Sequence, residues 1–181
     1  MIRLHTCAMV VAAVAACSVL ACAQQDKSQR PSPPASAECK FADGKTLHID
    51  YSRPSVRGRR IFGGLVPYDK EWRTGANEAT TFVTNTSLDV GGAKVPAGNY
   101  TLFTVPSQKQ WTLIISKRTG EWGIPYPGPS EDLVRVPMRS QELSSPVEQF
   151  TISFERPAPE ACTLRMDWET TRAEVSVREQ K

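Results

Sequence analysis

The stretch Trp72–Arg73–Thr74–Gly75–Ala76–Asn77–Glu78 sets an indole, a guanidinium, a primary amide and a carboxylate within seven residues. Each type offers a ligand a different contact. Tryptophan gives a flat apolar face, arginine a planar fork of donors matched to carboxylate or phosphate, and the amide and carboxylate directional partners. Arg53, Arg57, Arg59 and Arg60 stand shortly before this stretch, and Trp122, Tyr126 and Asp132 follow in a second segment, Glu121–Arg135. In a functional reading the arginines, Arg59 among them, form an anion clamp. Arg73, Asn77 and Glu78 then orient a ligand against Trp72; Trp72, Trp122 and Tyr126 offer faces for sugars, and Asp132 captures a polar group. The competing reading is architectural: Arg73 pairs with Glu78, Gly75 supplies a positive-φ turn, Asn77 caps the loop and Trp72 closes one end of the domain. The second segment, stiffened by Pro125, Pro127 and Pro129, equally suits a rigid surface loop.

Catalytic chemistry finds few other footholds. The chain has two histidines, His5 in the leader and His48, so a Ser-His-Asp triad must use His48, and no G-x-S-x-G elbow accompanies it. Zinc and iron sites draw on several His or Cys side chains, and phosphate-cradling, dinucleotide and EF-hand loops are missing from the sequence. No catalytic residue, metal or cofactor is therefore assigned. The alternative that remains is a hydrolase working through carboxylates alone, with Glu78 and Asp132 as the pair.

The N-terminus addresses the compartment. An apolar run from Cys7 to Leu20 is shorter than the roughly 20 residues a membrane-spanning helix needs, and reads as an export signal. Val19-Leu20-Ala21-Cys22 resembles the lipobox of bacterial lipoproteins, so residues 1–21 are expected to leave and Cys22 to be acylated; cleavage after Ala23 is the alternative. Ala23, not an acidic residue, follows the cysteine, which by resemblance to that class points to the outer membrane, with a periplasmic or secreted form otherwise. Cys39 and Cys162 are left as an even pair in an oxidising compartment and are expected to form a disulfide. Loss of Arg3 from 22 Lys+Arg leaves 21 against 19 Asp+Glu, near balance, which gives no basis for nucleic-acid binding. Contact with a membrane is expected only through the lipid.

Those chemical residues need elements to hold them. Residues 22–38, polar and proline-rich, are expected to be a flexible spacer, and residues 39–181 one domain. Period-two alternation marks half-buried antiparallel strands: Leu47, Ile49 and Tyr51; Phe150, Ile152 and Phe154; Cys162, Leu164, Met166 and Trp168; Ala173, Val175 and Val177. YTLFTV and WTLIIS are apolar on both faces and belong near the middle of a sheet. Gly91-Gly92 suits a tight hairpin, whereas Glu142–Gln149 has room for a turn or two of helix broken by Pro146. The pattern predicts an all-β, antiparallel β-sandwich, jelly-roll-like, of about eight to ten short strands.

Three segments together, RPSVRGRRIFGGLVPYDKEWRTGANEATTF, VGGAKVPAGNYTLFTVPSQKQWTLIIS and EWGIPYPGPSEDLVRVPM, resemble the bacterial family called domain of unknown function 2911. The resemblance runs from about Lys45 to Arg178 and implies an exported or lipid-anchored β protein. It carries no activity to Arg73, Asn77 or Glu78. The reading that follows is a non-catalytic envelope module binding a glycan or a peptide-like ligand. A structural or assembly lipoprotein is the further alternative, and its mark would be an exposed apolar patch.

Overall fold

A computed structural model describes residues 26–180; the expected leader and the expected acylation position Cys22 lie outside the described residues. Among those described, nine strands form: β1 Pro34–Lys40, β2 Thr46–Ser52, β3 Thr80–Thr84, β4 Leu88–Val90, β5 Ala93–Val95, β6 Gly98–Val105, β7 Trp111–Ser116, β8 Asp132–Ala158 and β9 Ala161–Glu179. All pair antiparallel in one open sheet, in the order β1-β2-β3-β6-β7-β8-β9-β4-β5. The two segments apolar on both faces, β6 and β7, take its middle positions, as continuous hydrophobic runs require.

The sheet folds over into a sandwich through β8. Its first residues pair with β7 and the remainder with β9. Across the fold, the Tyr51 hydroxyl on β2 accepts the Ile152 N–H of β8 at 3.0 Å, and a disulfide joins Cys39 on β1 to Cys162 on β9. Between the layers, Leu47, Ile49, Phe82, Leu102, Leu113, Leu164 and Trp168 lose essentially all solvent contact.

Two expectations change. Pro34–Ala37, read as spacer, pair residue by residue with Ser52, Tyr51, Asp50 and Ile49 of β2; the carbonyl and amide ladder orders a segment that has little apolar surface of its own. Glu142–Gln149 is extended within β8, where register shifts at Glu142/Val147 and Val147/Thr151 absorb its irregular pattern. Two of the strands are also long: what reads as two strands, CTLRMDWE and AEVSVR, is the single β9. Leu164, Met166 and Trp168 are at even positions and Ala173, Val175 and Val177 at odd ones, yet all six are buried. The change of phase is taken up at Glu169, whose φ of 55° interrupts the ladder as a β-bulge does.

Residues 53–79, between β2 and β3, contain only isolated bridges. Loops so long are uncommon in compact domains and are mostly functional. This one is pinned rather than free: Trp72 and Thr104 exchange backbone hydrogen bonds at 2.8 and 2.9 Å, and Val56 N–H donates to the Glu148 carbonyl at 2.8 Å.

Candidate functional site

The long loop is built on buried aromatics. Trp72 stacks on Trp168 with centroids 5.6 Å apart and planes 19° from parallel, and meets Phe150 edge-on at 5.0 Å. Phe62 packs edge-on against Trp111 at 4.7 Å. The run Ile61–Val66 doubles back tightly, with Val66 N–H donating to the Ile61 carbonyl and Gly63 N–H to the Val66 carbonyl, both at 2.9 Å. Gly63 has φ +77°, and a Cβ on Gly64 would lie 2.5 Å from the Arg60 carbonyl oxygen. The turn thereby buries Ile61, Phe62 and Val66 while leaving Leu65 at the tip, 48% exposed.

The Trp72–Glu78 segment is equally determined. Trp72 Nε1–H donates to the Gly75 carbonyl at 3.1 Å, and Thr80 Oγ1 donates to the Thr74 carbonyl at 2.7 Å. Thr74 and Asn77, with φ near 55° and 57°, supply the left-handed turns. Gly75 does not; it is there because a Cβ would approach Thr80 Oγ1 to 3.0 Å and the Ser52 carbonyl to 3.1 Å. The expected Arg73–Glu78 pair is also replaced. Glu78 takes both carboxylate oxygens to Arg30 Nη1, each at 2.9 Å, and Lys27 Nζ lies 3.1 Å away. Hydrogen bonding from Arg30, then from its own backbone and from Lys27, outweighs burial and lowers the Glu78 pKa from 4.5 to about 2.

Asp26–Pro33 thus forms a strap over the loop. Three consecutive strap carbonyls accept hydrogen bonds: Pro31 from the Arg57 guanidinium at 3.2 Å, Ser32 from Asn77 Nδ2 at 2.9 Å, and Pro33 from Arg53 N–H at 2.9 Å. Asn77 therefore caps a neighbouring segment and not its own loop.

Between strap, loop and core lies a cleft of about 360 Å³. Its lining includes Trp72, Trp168, Val66 and Pro54, the aliphatic Leu65 and Ile124, Ser32 of the strap, and two arginines, Arg59 and Arg73. Arg59 donates to the backbone carbonyls of Val56 and Ser55 at 3.0 and 2.6 Å. Arg73 donates to the Trp122 carbonyl at 3.3 Å and sits 5.8 Å from the Trp122 ring centroid. Among the described residues neither arginine has a carboxylate oxygen within 4.0 Å. Burial lowers the Arg73 pKa, opposed only by the more distant charge of Glu78: a cation is held in a partly dry cleft without an adjacent anion.

Of the seven residues singled out from sequence, Arg59, Trp72 and Arg73 line this cleft. Trp122 stands beside it through Arg73. Glu78 lines a smaller neighbouring cavity of about 200 Å³ with Lys27 and Arg30. Asp132 joins neither; it accepts the Tyr126 hydroxyl at 2.5 Å and Arg135 Nε–H at 2.6 Å. The two carboxylates are thus neutralised separately, Glu78 by Arg30 and Lys27 and Asp132 by Arg135. Leu65, Ile124, Ser32 and Arg30 escaped the sequence reading. The first two carry a faint signal, an aliphatic residue at the tip of a glycine turn and another ahead of a proline; the strap residues carry none. Among the described residues no three His, Cys, Asp or Glu side chains gather as a metal set.

The model of the family described as "Protein of unknown function (DUF2911)" matches residues 32–177. The chain belongs to that family. No curated protein and no solved structure matches it. The matched span of the DUF2911 domain begins at Ser32, within the strap, and so includes every residue that lines the cleft.

Proposed function

We propose that this DUF2911 domain is a non-catalytic binding module of the bacterial cell envelope, and that the Trp72 cleft takes a peptide-like ligand presenting a carboxylate. The observation that carries this reading is the pair Arg59 and Arg73, which line an apolar cleft with no carboxylate beside them. Elsewhere arginine meets carboxylate directly, as in Arg118–Glu121, Arg135–Asp132 and Arg172–Asp167. An incoming carboxylate supplies the missing partner in the planar, two-pronged geometry that guanidinium favours.

A peptide suits the walls better than a glycan. Sugars stack on open aromatic faces, but one face of Trp72 is covered by Trp168 and Arg73 lies over Trp122. The other walls, Val66, Leu65, Ile124 and Pro54, are aliphatic and match a branched apolar side chain. Non-catalytic action is favoured by the separate neutralisation of Glu78 and Asp132.

Isothermal titration of the mature chain with short peptides ending in Leu or Val tests this. Peptides with a free C-terminal carboxylate are expected to bind at least tenfold more tightly than their amides, the loss that goes with about 1.5–3 kcal/mol for a hydrogen bond to a charged group. Arg73→Ala is expected to remove that preference while leaving the melting temperature unchanged. Equal affinity for acid and amide, or no binding of either at millimolar concentration, rejects the reading.

A further inference from the structure

We infer that the mouth of the cleft is also a docking surface for an anionic lipid bilayer, with Leu65, Trp122 and Ile124 entering the headgroup region and Arg57, Arg59 and Arg60 lying against the phosphates. Three observations converge on it. The first is apolar exposure: four large hydrophobic side chains are exposed among the described residues, Leu65 at 48%, Trp122 at 53%, Ile124 at 66% and Val83 at 37%. All but Val83 surround this one mouth. They sit on stiff supports, Leu65 on the Gly63–Gly64 turn, and Trp122 and Ile124 either side of Gly123, which packs against Ala79 and Arg73. A rigid tip that holds an indole and aliphatic groups out in water suits the interface between headgroup and acyl chain, where tryptophan concentrates.

The second is charge. Arg57, Arg59 and Arg60 are exposed and make no salt bridge among the described residues; the Arg57 and Arg59 guanidinium groups donate only to backbone carbonyls, while the Arg57 backbone N–H donates to the Glu148 carboxylate at 2.9 Å. This basic run adjoins the apolar rim, the combination that draws a surface to anionic lipid. The third is reach. The strap fixes Lys27 and Arg30 to Glu78 and places Ser32 in the wall of the cleft. Four peptide steps separate Asp26 from Cys22, at most about 14 Å of chain. With Cys22 acylated, the cleft end of the domain is held close to the lipid, not extended from it on a spacer.

The inference is separable from the peptide reading, because Arg57, Arg60 and Trp122 do not line the cleft. The test uses the mature chain without its acyl group, residues 22–181 carrying Cys22→Ser, in co-sedimentation with two kinds of vesicle. One is equimolar phosphatidylglycerol and phosphatidylcholine, the other phosphatidylcholine alone. Partition onto the anionic vesicles is expected to be at least tenfold stronger and to fall steeply between 50 mM and 500 mM salt, with a blue shift of tryptophan emission on binding. Trp122→Ser is expected to remove the blue shift and weaken partition about tenfold. The double variant Arg57→Gln, Arg60→Gln is expected to erase the preference for anionic lipid. All variants sit on exposed loop positions, and their melting curves report folding. Equal partition onto both vesicles, or anionic partition unchanged in both variants, overturns the inference. So does a chain that ignores vesicles and self-associates in a way that Trp122→Ser abolishes.

Discussion

Glu78 is the residue on which the strap depends. Its depressed pKa means that the folded chain binds a proton there more weakly than the unfolded chain does, so its contribution is present above 4.5 and is lost as pH falls toward about 2. Acidification through that window is expected to release Arg30 and Lys27 before the β core responds. Amide resonances of Ser28, Arg30 and Ser32, followed by NMR from pH 6 to 1.5, check it: they should shift together as pH passes through about 2 while those of β6 and β7 stay in place. In Glu78→Gln the strap signals should already match the released state at pH 6. A strap indifferent both to pH and to that substitution is held by the Asn77, Arg57 and Arg53 contacts instead. At this scale the sequence was legible where chemistry was dense. The Trp72–Arg73 pair and Arg59 stood out by type, and they line the cleft. Glu78 stood out as well, but its partners lie 48 residues away in sequence at Arg30, and nothing in local composition announces such a pairing.

The elements tell a similar story through alternation and its interruptions. The inward faces of β2 and β9 follow from period two, the central β6 and β7 from runs apolar on both faces, and the hairpin at Gly91–Gly92 from its glycine pair. The bulge at Glu169 does not, since a phase change reads as a gap between two strands until the partner strand is known. The order of Pro34–Ala37 was hidden for a related reason: backbone ladders order polar residues without leaving an apolar signature. The loop that carries Trp122 rests on Gly123, at φ +79°, where a Cβ would lie 2.9 Å from Ala79 Cβ and 3.0 Å from Arg73 Cβ. Gly123→Ala should therefore cost both backbone strain and overpacking, about 2–4 kcal/mol together. Gly120→Ala, at φ +75° with nothing within 4 Å of its new Cβ, should cost only the strain, about 1–2 kcal/mol. Urea denaturation of the two variants checks the contrast, and equal losses would mean that Gly123 is not a packing contact.

For the molecule as a whole, the fold-over of one sheet at β8 makes both layers a single hydrogen-bonded body, and the disulfide closes it. Cys39 and Cys162 are 123 residues apart. Removing so long a loop closure from the unfolded chain by replacing both with serine is expected to cost roughly 4–5 kcal/mol. For a domain of this size that corresponds to a fall in Tm of about 10–20 °C. Differential scanning calorimetry of the double variant measures it, and a fall of only a degree or two would show that the native layers need no such tie. The pairing was readable from cysteine count and an expected export signal, whereas the fold-over was not: a 27-residue strand shared between layers looks, in sequence, like several short ones.

The same bond also decides how the protein carries mechanical load. The strap and β1 lead directly to Cys39, and β9 runs from Cys162 toward the C-terminus. A pull between the two ends of the folded chain is relayed from β1 to β9 through sulfur, and the 123-residue span between them lies outside the path of the force. Only the short flanks can lengthen. A domain held at one end by lipid and drawn at the other would stretch its strap and peel its last strand while the loop bearing the cleft stayed folded.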